Sequence, residues 1–154
     1  LKRARAVNLF GIGASRLVAH DLAQKLMRVD KECHLYDDWH DQLLCAKNMH
    51  EGDMAIAFSY SGLTQEVLDC TAEAQRHSCP VVAVTKVDGS SKLATMADAV
   101  LGVAASEPLV RSGAMASRMA QLMVVDALYA AYVASDYERA THVIKQNYIE
   151  KQER

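Results

Sequence analysis

The sequence has little positive charge, and this lack limits what it can bind. Its 154 residues carry 17 Lys and Arg against 19 Asp and Glu, a formal net charge of -2. Neutralising nucleic-acid phosphates needs an excess of clustered cations, so this chain alone is not expected to bind DNA. Disorder is excluded too, because 51% of the residues are hydrophobic and only 23% are charged, which fits one globular domain with a core.

Motifs for metal binding and for disulfide formation are also missing. The four cysteines, Cys33, Cys45, Cys70 and Cys79, show no CxxC spacing, and no secretory segment precedes them. We therefore expect reduced thiols and a cytoplasmic protein. The six histidines show no HxH or HExxH spacing, and the acids of DDWHD are too close in sequence to converge on one ion. The sequence thus predicts neither a metal site nor a cofactor.

No apolar run is long enough to cross a membrane. Residues 113–136 are apolar at most positions, but the longest uninterrupted run is 127–134, and Arg118 and Asp126 interrupt the segment. A helix here would be apolar on nearly every face and would have to be buried. We predict that it lies between the sheet and a second subunit, which indicates a homodimer or a tetramer.

Short apolar runs alternate with longer amphipathic stretches along the first hundred residues. The predicted strands are 6–10, 33–36, 54–59, 80–85 and 99–103, and the predicted helices are 15–28, 39–49, 64–77 and 91–96. This alternation predicts an α/β fold, a doubly wound five-stranded parallel sheet flanked by helices. We take its strand order as 2-1-3-4-5, one of the common doubly wound orders. Residues 137–154 mix charges at helical spacing and predict an exposed terminal helix. We expect 1–154 to form a single domain.

Two loops rich in small residues follow the first and third predicted strands. They are GIGAS, residues 11–15, and SYSGLT, residues 59–64. In a doubly wound sheet, ligands bind beyond the carboxyl ends of the strands, where the strand order reverses. The predicted order makes strands one and three neighbours, so both loops are expected to line one pocket.

The chemistry of the two loops suits a phosphate group. Ser59, Ser61 and Thr64 supply hydroxyls, Gly62 lets the backbone approach closely, and the following helix presents unpaired N–H groups. In the other loop, Gly13 allows a tight turn and Ser15 stands at the head of a helix. Either loop alone is equally typical of ordinary helix caps and turns, but the pair at the switch point favours a ligand site.

Two other phosphate-binding motifs find weak support or none. GIGAS has Arg16 where a dinucleotide fingerprint places its third glycine, and the expected acid would have to be Asp37 or Asp38. A dinucleotide site is therefore a weak alternative. No GK[ST] tripeptide is present, so the sequence gives no support for ATP hydrolysis.

Four segments together resemble a known family: GIGAS, DMAIAFSYSGLTQE, VVAVT and SEPLVRSGAMASRMAQLMVVDAL. They are similar to the SIS, or sugar isomerase, domain, and in particular to the C-terminal effector domain of RpiR-type bacterial transcriptional regulators, over about residues 3–132. The resemblance implies a phosphosugar ligand. It assigns the phosphate to Ser59, Tyr60, Ser61 and Thr64, and it adds Ser15, Glu107 and Ser117 as further ligand-binding residues.

RpiR-type regulators carry a helix-turn-helix module before this domain, and no segment of 1–154 resembles one. The opening LKRAR is typical of the last turn of a helix. We therefore expect a fragment whose DNA-binding part is missing, and contact with DNA only through that part.

Catalysis is the main alternative, because aldose–ketose phosphosugar isomerases use related SIS domains. Isomerisation needs a base over C1 and C2, and the candidates are Glu66, Glu107 and His40. An acid in the first turn of a helix, such as Glu66, is favoured by the helix dipole in any case. We expect a phosphosugar sensor rather than an enzyme, with a phosphosugar isomerase as the alternative.

Overall fold

Five parallel strands form one sheet in the order β2-β1-β3-β4-β5, as the sequence predicts. The computed structural model describes residues 1–105 and 113–149. The strands are β1 Val7–Gly11, β2 Cys33–His34, β3 Met54–Phe58, β4 Val81–Lys86 and β5 Ala99–Val103. The helices are α1 Ala14–Met27, α2 Trp39–Lys47, α3 Gln65–Arg76, α4 Lys92–Met96, α5 Met115–Ala134 and α6 Tyr137–Gln146.

Helices cover both faces of the sheet, and this is why β3 is a continuous apolar run and β1 is apolar apart from the buried Asn8. Every residue of these two strands is buried. On one face, Leu9 and Ile56 belong to a core cluster with α1, and α1 packs against α5. On the other face, Phe10 and Ala57 belong to a second cluster that includes residues of α2 and α3. The two loops, residues 11–15 and 59–64, therefore follow strands that are packed against helices on both faces.

Strand β2 is shorter than predicted. Its two residues pair with β1 only at Val7 and Asn8, whereas the sequence predicts a strand over 33–36. By contrast, β3 pairs with β1 from Val7 to Gly11. The last part of β1 thus has a strand neighbour on one side only.

Helix α5 is buried on one face. The side chains that point inward are those of Ser117, Gln121 and Val125, and none is more than 1% exposed. The outer face, which the sequence predicts to be covered by a second subunit, is exposed in one chain: Met115, Met119 and Met123 are 60–72% exposed. Lys25 on α1 holds α5 by a 2.9 Å ion pair from its Nζ to Asp126 Oδ1.

The four cysteines are free thiols, as expected. Burial raises the pKa of Cys33 and of Cys70 to about 12, and that of Cys45 to about 11. Because the thiolate is the reactive form, these side chains are neutral and inert near pH 7. Across 1–105 and 113–149, no set of three His, Cys, Asp or Glu residues is placed to hold a metal ion, and no helix is long and apolar enough to span a membrane.

Candidate functional site

The ends of β1 and β3 bring the two predicted loops together. Gly11 at the end of β1 is the register partner of Phe58 at the end of β3. The glycine loop continues directly from Gly11, and the hydroxyl loop, residues 59–64, continues from Phe58. Adjacent strands lie about 4.8 Å apart, so the two loops start side by side at the same edge of the sheet.

Hydrogen bonds within the hydroxyl loop fix its shape. Ser59 Oγ lies 2.9 Å from Thr64 Oγ1 and accepts a bond of 3.1 Å from the N–H of Gly62. Ser61 Oγ accepts one of 3.3 Å from the N–H of Leu63. Ser59 is only 2% exposed, whereas Ser61 and Thr64 are half-buried and accessible. The loop is therefore a closed turn in which Ser61 and Thr64 are partly exposed, with the Thr64 hydroxyl already paired with Ser59.

The helix that follows this loop has no side-chain cap. Thr64 is its N-cap residue, yet its hydroxyl faces Ser59 and accepts no bond from the first turn. A helix N-terminus without a cap leaves backbone N–H groups for water or for a ligand, with the positive end of the helix dipole behind them. The first turn of α3 is therefore free to bind an anion.

Helix α1 begins in the same way. Its N-cap is Gly13, with φ 57° and ψ −127° and no capping side chain. Ser15, in the first turn, makes no hydrogen bond through its hydroxyl within the part of the chain that the structure describes. Neither Ser15 nor Thr64 is the ordinary helix cap that such residues often are. Two uncapped helix starts thus lie at neighbouring strand ends.

The segment after β4 supports the hydroxyl loop, which the sequence did not predict. Gly62 has a φ of 68°, and a Cβ there would lie 1.9 Å from Ser91 Oγ. The N–H of Leu93 donates to the carbonyl of Gly62 at 3.0 Å, and Thr85 Oγ1 lies 2.9 Å from Ser91 Oγ. Ser91 also caps α4 by accepting from the N–H of Ala94. In the sequence, Ser91 could be recognised only as a residue that caps the start of a helix. Nothing in the sequence indicated its contact with Gly62.

The remaining predicted site residues are Tyr60, Ser117 and Glu107. Tyr60 is 7% exposed, and its hydroxyl donates to the carbonyl of Ala105 at 2.6 Å, which links the hydroxyl loop to the segment after β5. Ser117, in the first turn of α5, is 1% exposed and donates to the carbonyl of Ala114 at 3.4 Å. Glu107 lies outside the described residues.

Most charged side chains near the two loops already have partners. Arg16, in the first turn of α1, pairs with Asp37 after β2. Asp38 caps α2 through the N–H of His40. Neither acid is therefore free to bind a ribose, which argues against the dinucleotide alternative. On the other side, Lys86 Nζ lies 2.7 Å from Asp88, and hydrogen bonds from Lys86 and then Ser90 hold the pKa of Asp88 well below its usual range.

We predict that Gly62→Ala destabilises the chain more than Gly13→Ala. Both glycines have positive φ, but a Cβ at Gly13 would meet nothing within 4 Å, whereas one at Gly62 would collide with Ser91. The backbone strain alone costs about 1–3 kcal/mol in the free energy of unfolding. Urea denaturation of the two variants measures the difference. Equal losses would show that the contact between Gly62 and Ser91 does not hold the loop.

Comparison with known proteins gives a consistent family. The model of the SIS domain matches residues 1–131. An HTH-type transcriptional regulator of Caldanaerobacter subterraneus subsp. tengcongensis is 39% identical over 137 residues, which cover 89% of this chain and 48% of that protein. This chain spans about half the length of the curated relatives it matches.

Solved structures agree with this match. The Vibrio vulnificus NanR protein complexed with ManNAc-6P has a TM-score of 0.87 and 30% identity, over 94% of this chain and 54% of that one. The sugar isomerase domain of an RpiR transcription factor from Sphaerobacter thermophilus has a TM-score of 0.82 and 25% identity, over 94% of this chain and 79% of that one. The pattern of loops, strand order and matched residues leads to one conclusion: the chain belongs to the SIS domain family.

Proposed function

We propose that this chain is the phosphosugar-binding effector domain of an RpiR-type transcriptional regulator of carbohydrate metabolism. The observation that carries the proposal is the pair of uncapped helix starts beside the accessible hydroxyls of Ser61 and Thr64. The relatives support it, since the curated ones are regulators and the NanR structure holds ManNAc-6P. DNA binding would belong to a part of the protein outside this sequence, and the location would be the cytoplasm.

The ligand would bind with its phosphate in the hydroxyl loop. Ser59, Ser61 and Thr64 would surround the phosphate, and the N–H groups of the first turn of α3 would donate to its oxygens. The sugar would extend toward Gly13 and Ser15 at the neighbouring strand end. Glu107 and Ser117 are proposed as further contacts to the sugar. Tyr60 and Gly62 would keep the loop in its closed form.

Sensing is favoured over isomerisation by the regulator relatives. Two of the three candidate bases have structural explanations, and the third, Glu107, lies outside the described residues. His40 is exposed in the first turn of α2, and its backbone N–H donates to the capping side chain of Asp38. Glu66 lies in the first turn of α3, where the dipole favours an acid without any catalytic role. Isomerase activity is therefore the second candidate, and it has a direct test.

Proton NMR of ManNAc-6P and glucose 6-phosphate, each incubated with the chain in D2O, separates the two functions. A sensor broadens or shifts the lines of its ligand and leaves the proton at C2 in place. With glucose 6-phosphate, an isomerase exchanges that proton for deuterium and interconverts aldose and ketose. ManNAc-6P carries an acetamido group at C2 and cannot become a ketose, so exchange at C2 is its only readout. We expect broadening without exchange. Exchange at a catalytic rate would replace the sensor proposal with the enzyme.

We predict that Ser61→Ala weakens phosphosugar binding about ten- to a hundredfold, because a hydrogen bond to a charged group contributes about 1.5–3 kcal/mol. Calorimetric titration with the phosphosugar that broadens in the NMR experiment measures the affinity. Ser135→Ala is the matched control, since that hydroxyl donates to the carbonyl of Tyr132 at the far end of α5. Equal affinities for wild type and Ser61→Ala would refute the phosphate assignment.

We also propose that two copies associate through the outer face of α5. Met115, Met119 and Met123 recur every four residues and form one exposed apolar stripe along this helix. Methionine side chains adapt their shape and favour such contacts. A ligand bound beside the start of α5 would then be able to bias the arrangement of the two copies, and with it the spacing of attached DNA-binding modules.

We predict that Met119→Lys converts the oligomer into a monomer, because a charge at the centre of the stripe would have to be buried unpaired. Sedimentation velocity measures the mass. Met27→Lys is the control, since Met27 on α1 is also exposed, at 72% against 60% for Met119. A wild-type chain that sediments as a monomer, or a Met119→Lys variant that keeps the oligomer, would contradict the proposed interface.

A further inference from the structure

Gly11, the last residue of β1, is hydrogen-bonded by the side chain of Gln42 on the side where β2 no longer pairs with β1. Gln42 Oε1 accepts from the N–H of Gly11 at 3.0 Å, and Gln42 Nε2 donates to the carbonyl of Gly11 at 3.1 Å. The primary amide thus bonds both backbone groups of one residue, as a neighbouring strand does in a ladder. It does so on β1 beyond the point where β2 has ended at His34.

The same amide also bonds to the segment that follows β2. The second hydrogen of Gln42 Nε2 is donated to the carbonyl of Tyr36 at 2.9 Å. Gln42 is 1% exposed, and its two donors and its acceptor are all used. A buried polar side chain with every group paired is a rigid connection, and removing it would leave backbone groups unsatisfied in the core.

Gly11 is also the point from which the glycine loop departs. A Cβ at Gly11 would come within 3.3 Å of the N of Arg16, of the carbonyl carbon of Ser15 and of Phe58 Cβ, so the start of α1 lies directly over this residue. A shift of Gly11 would therefore move Ser15 relative to the hydroxyl loop. Because the hydroxyl loop is supported separately by Ser91, that loop would stay in place.

We infer that Gln42 is a positioning residue for ligand binding: it sets where Ser15 and the first turn of α1 lie relative to the phosphate-binding loop. The inference rests on the proposed function, because it concerns the sugar-facing half of the same site. Gln42 touches no ligand itself. Its effect is confined to ligands that reach across both loops, and a bare phosphate is not one of them.

The test compares two probes with three proteins. The probes are ManNAc-6P, titrated by calorimetry, and inorganic phosphate, titrated by phosphorus NMR. The proteins are wild type, Gln42→Met, which keeps the volume and loses all three hydrogen bonds, and Gln75→Met. Gln75 is the control because its amide donates to the carbonyl of Met96, near the opposite ends of the strands.

We expect Gln42→Met to weaken binding of ManNAc-6P about tenfold or more, which corresponds to the loss of about one hydrogen bond between the sugar and the displaced first turn of α1. We expect the affinity for inorganic phosphate to stay within about twofold. We expect Gln75→Met to change neither. Equal affinities of wild type and Gln42→Met for ManNAc-6P would overturn the positioning role. Equal losses for both probes would also overturn it, because they would indicate a general effect on the fold. A wild-type chain that binds neither probe would overturn the proposed function, and the positioning role with it.

A second variant keeps the test decisive if Gln42→Met does not fold. Gln42→Glu has the same shape, and burial would raise the pKa of the new carboxyl. Below that pKa the neutral acid donates to one of the two carbonyls, and above it the carboxylate faces both of them without a proton. Affinity for ManNAc-6P, relative to wild type at the same pH, is expected to fall as the pH rises through the pKa of that carboxyl. A ratio that does not change while the carboxyl titrates would contradict the role of the donated hydrogen bonds.

Discussion

The parallel pairing of β1 with β3 is the constraint on which the candidate site depends. It extends from Val7 to Gly11 and ends with both strands level, at Gly11 and Phe58. Two loops that lie 48 residues apart in sequence, beginning at Gly11 and Ser59, thereby start from adjacent positions. Helices bury both faces of these strands, so the core fixes where the two loops start, and contacts further along each loop fix its shape.

Each loop is held from a different direction. Ser91 and the start of α4 support the hydroxyl loop from the β4 side, and Gln42 holds the end of β1 from the β2 side. Together they form a frame around the site that uses no side chain proposed to bind the ligand. The residues that fix the shape of the loops are thus different from those proposed to bind the ligand, which include the partly exposed Ser61 and Thr64.

Local signals in the sequence were enough to predict most of this architecture. Buried strands appear as short apolar runs, their alternation with helices indicates a doubly wound parallel sheet, and the small residues of 11–15 and 59–64 stand at strand ends. What could not be predicted depends on hydrogen bonds between distant segments. The side chain of Gln42 replaces strand pairing only once β2 has stopped at His34, and Ser91 meets Gly62 only in the folded chain. The inner and outer faces of α5 were likewise indistinguishable, because apolar residues occupy both.

The absence of capping side chains at α1 and α3 has a consequence for the speed of recognition. Where a helix start is capped by its own serine or threonine, an arriving anion must first break that bond and move the side chain. Here Gly13 and Thr64 make no such bond, and the closed loop from Ser59 to Thr64 already has its hydrogen bonds formed. An anion that binds these amides would have no capping side chain to displace, so its rate of association would be set mainly by diffusional encounter. Differences in affinity between ligands would then arise mainly from how fast each one leaves.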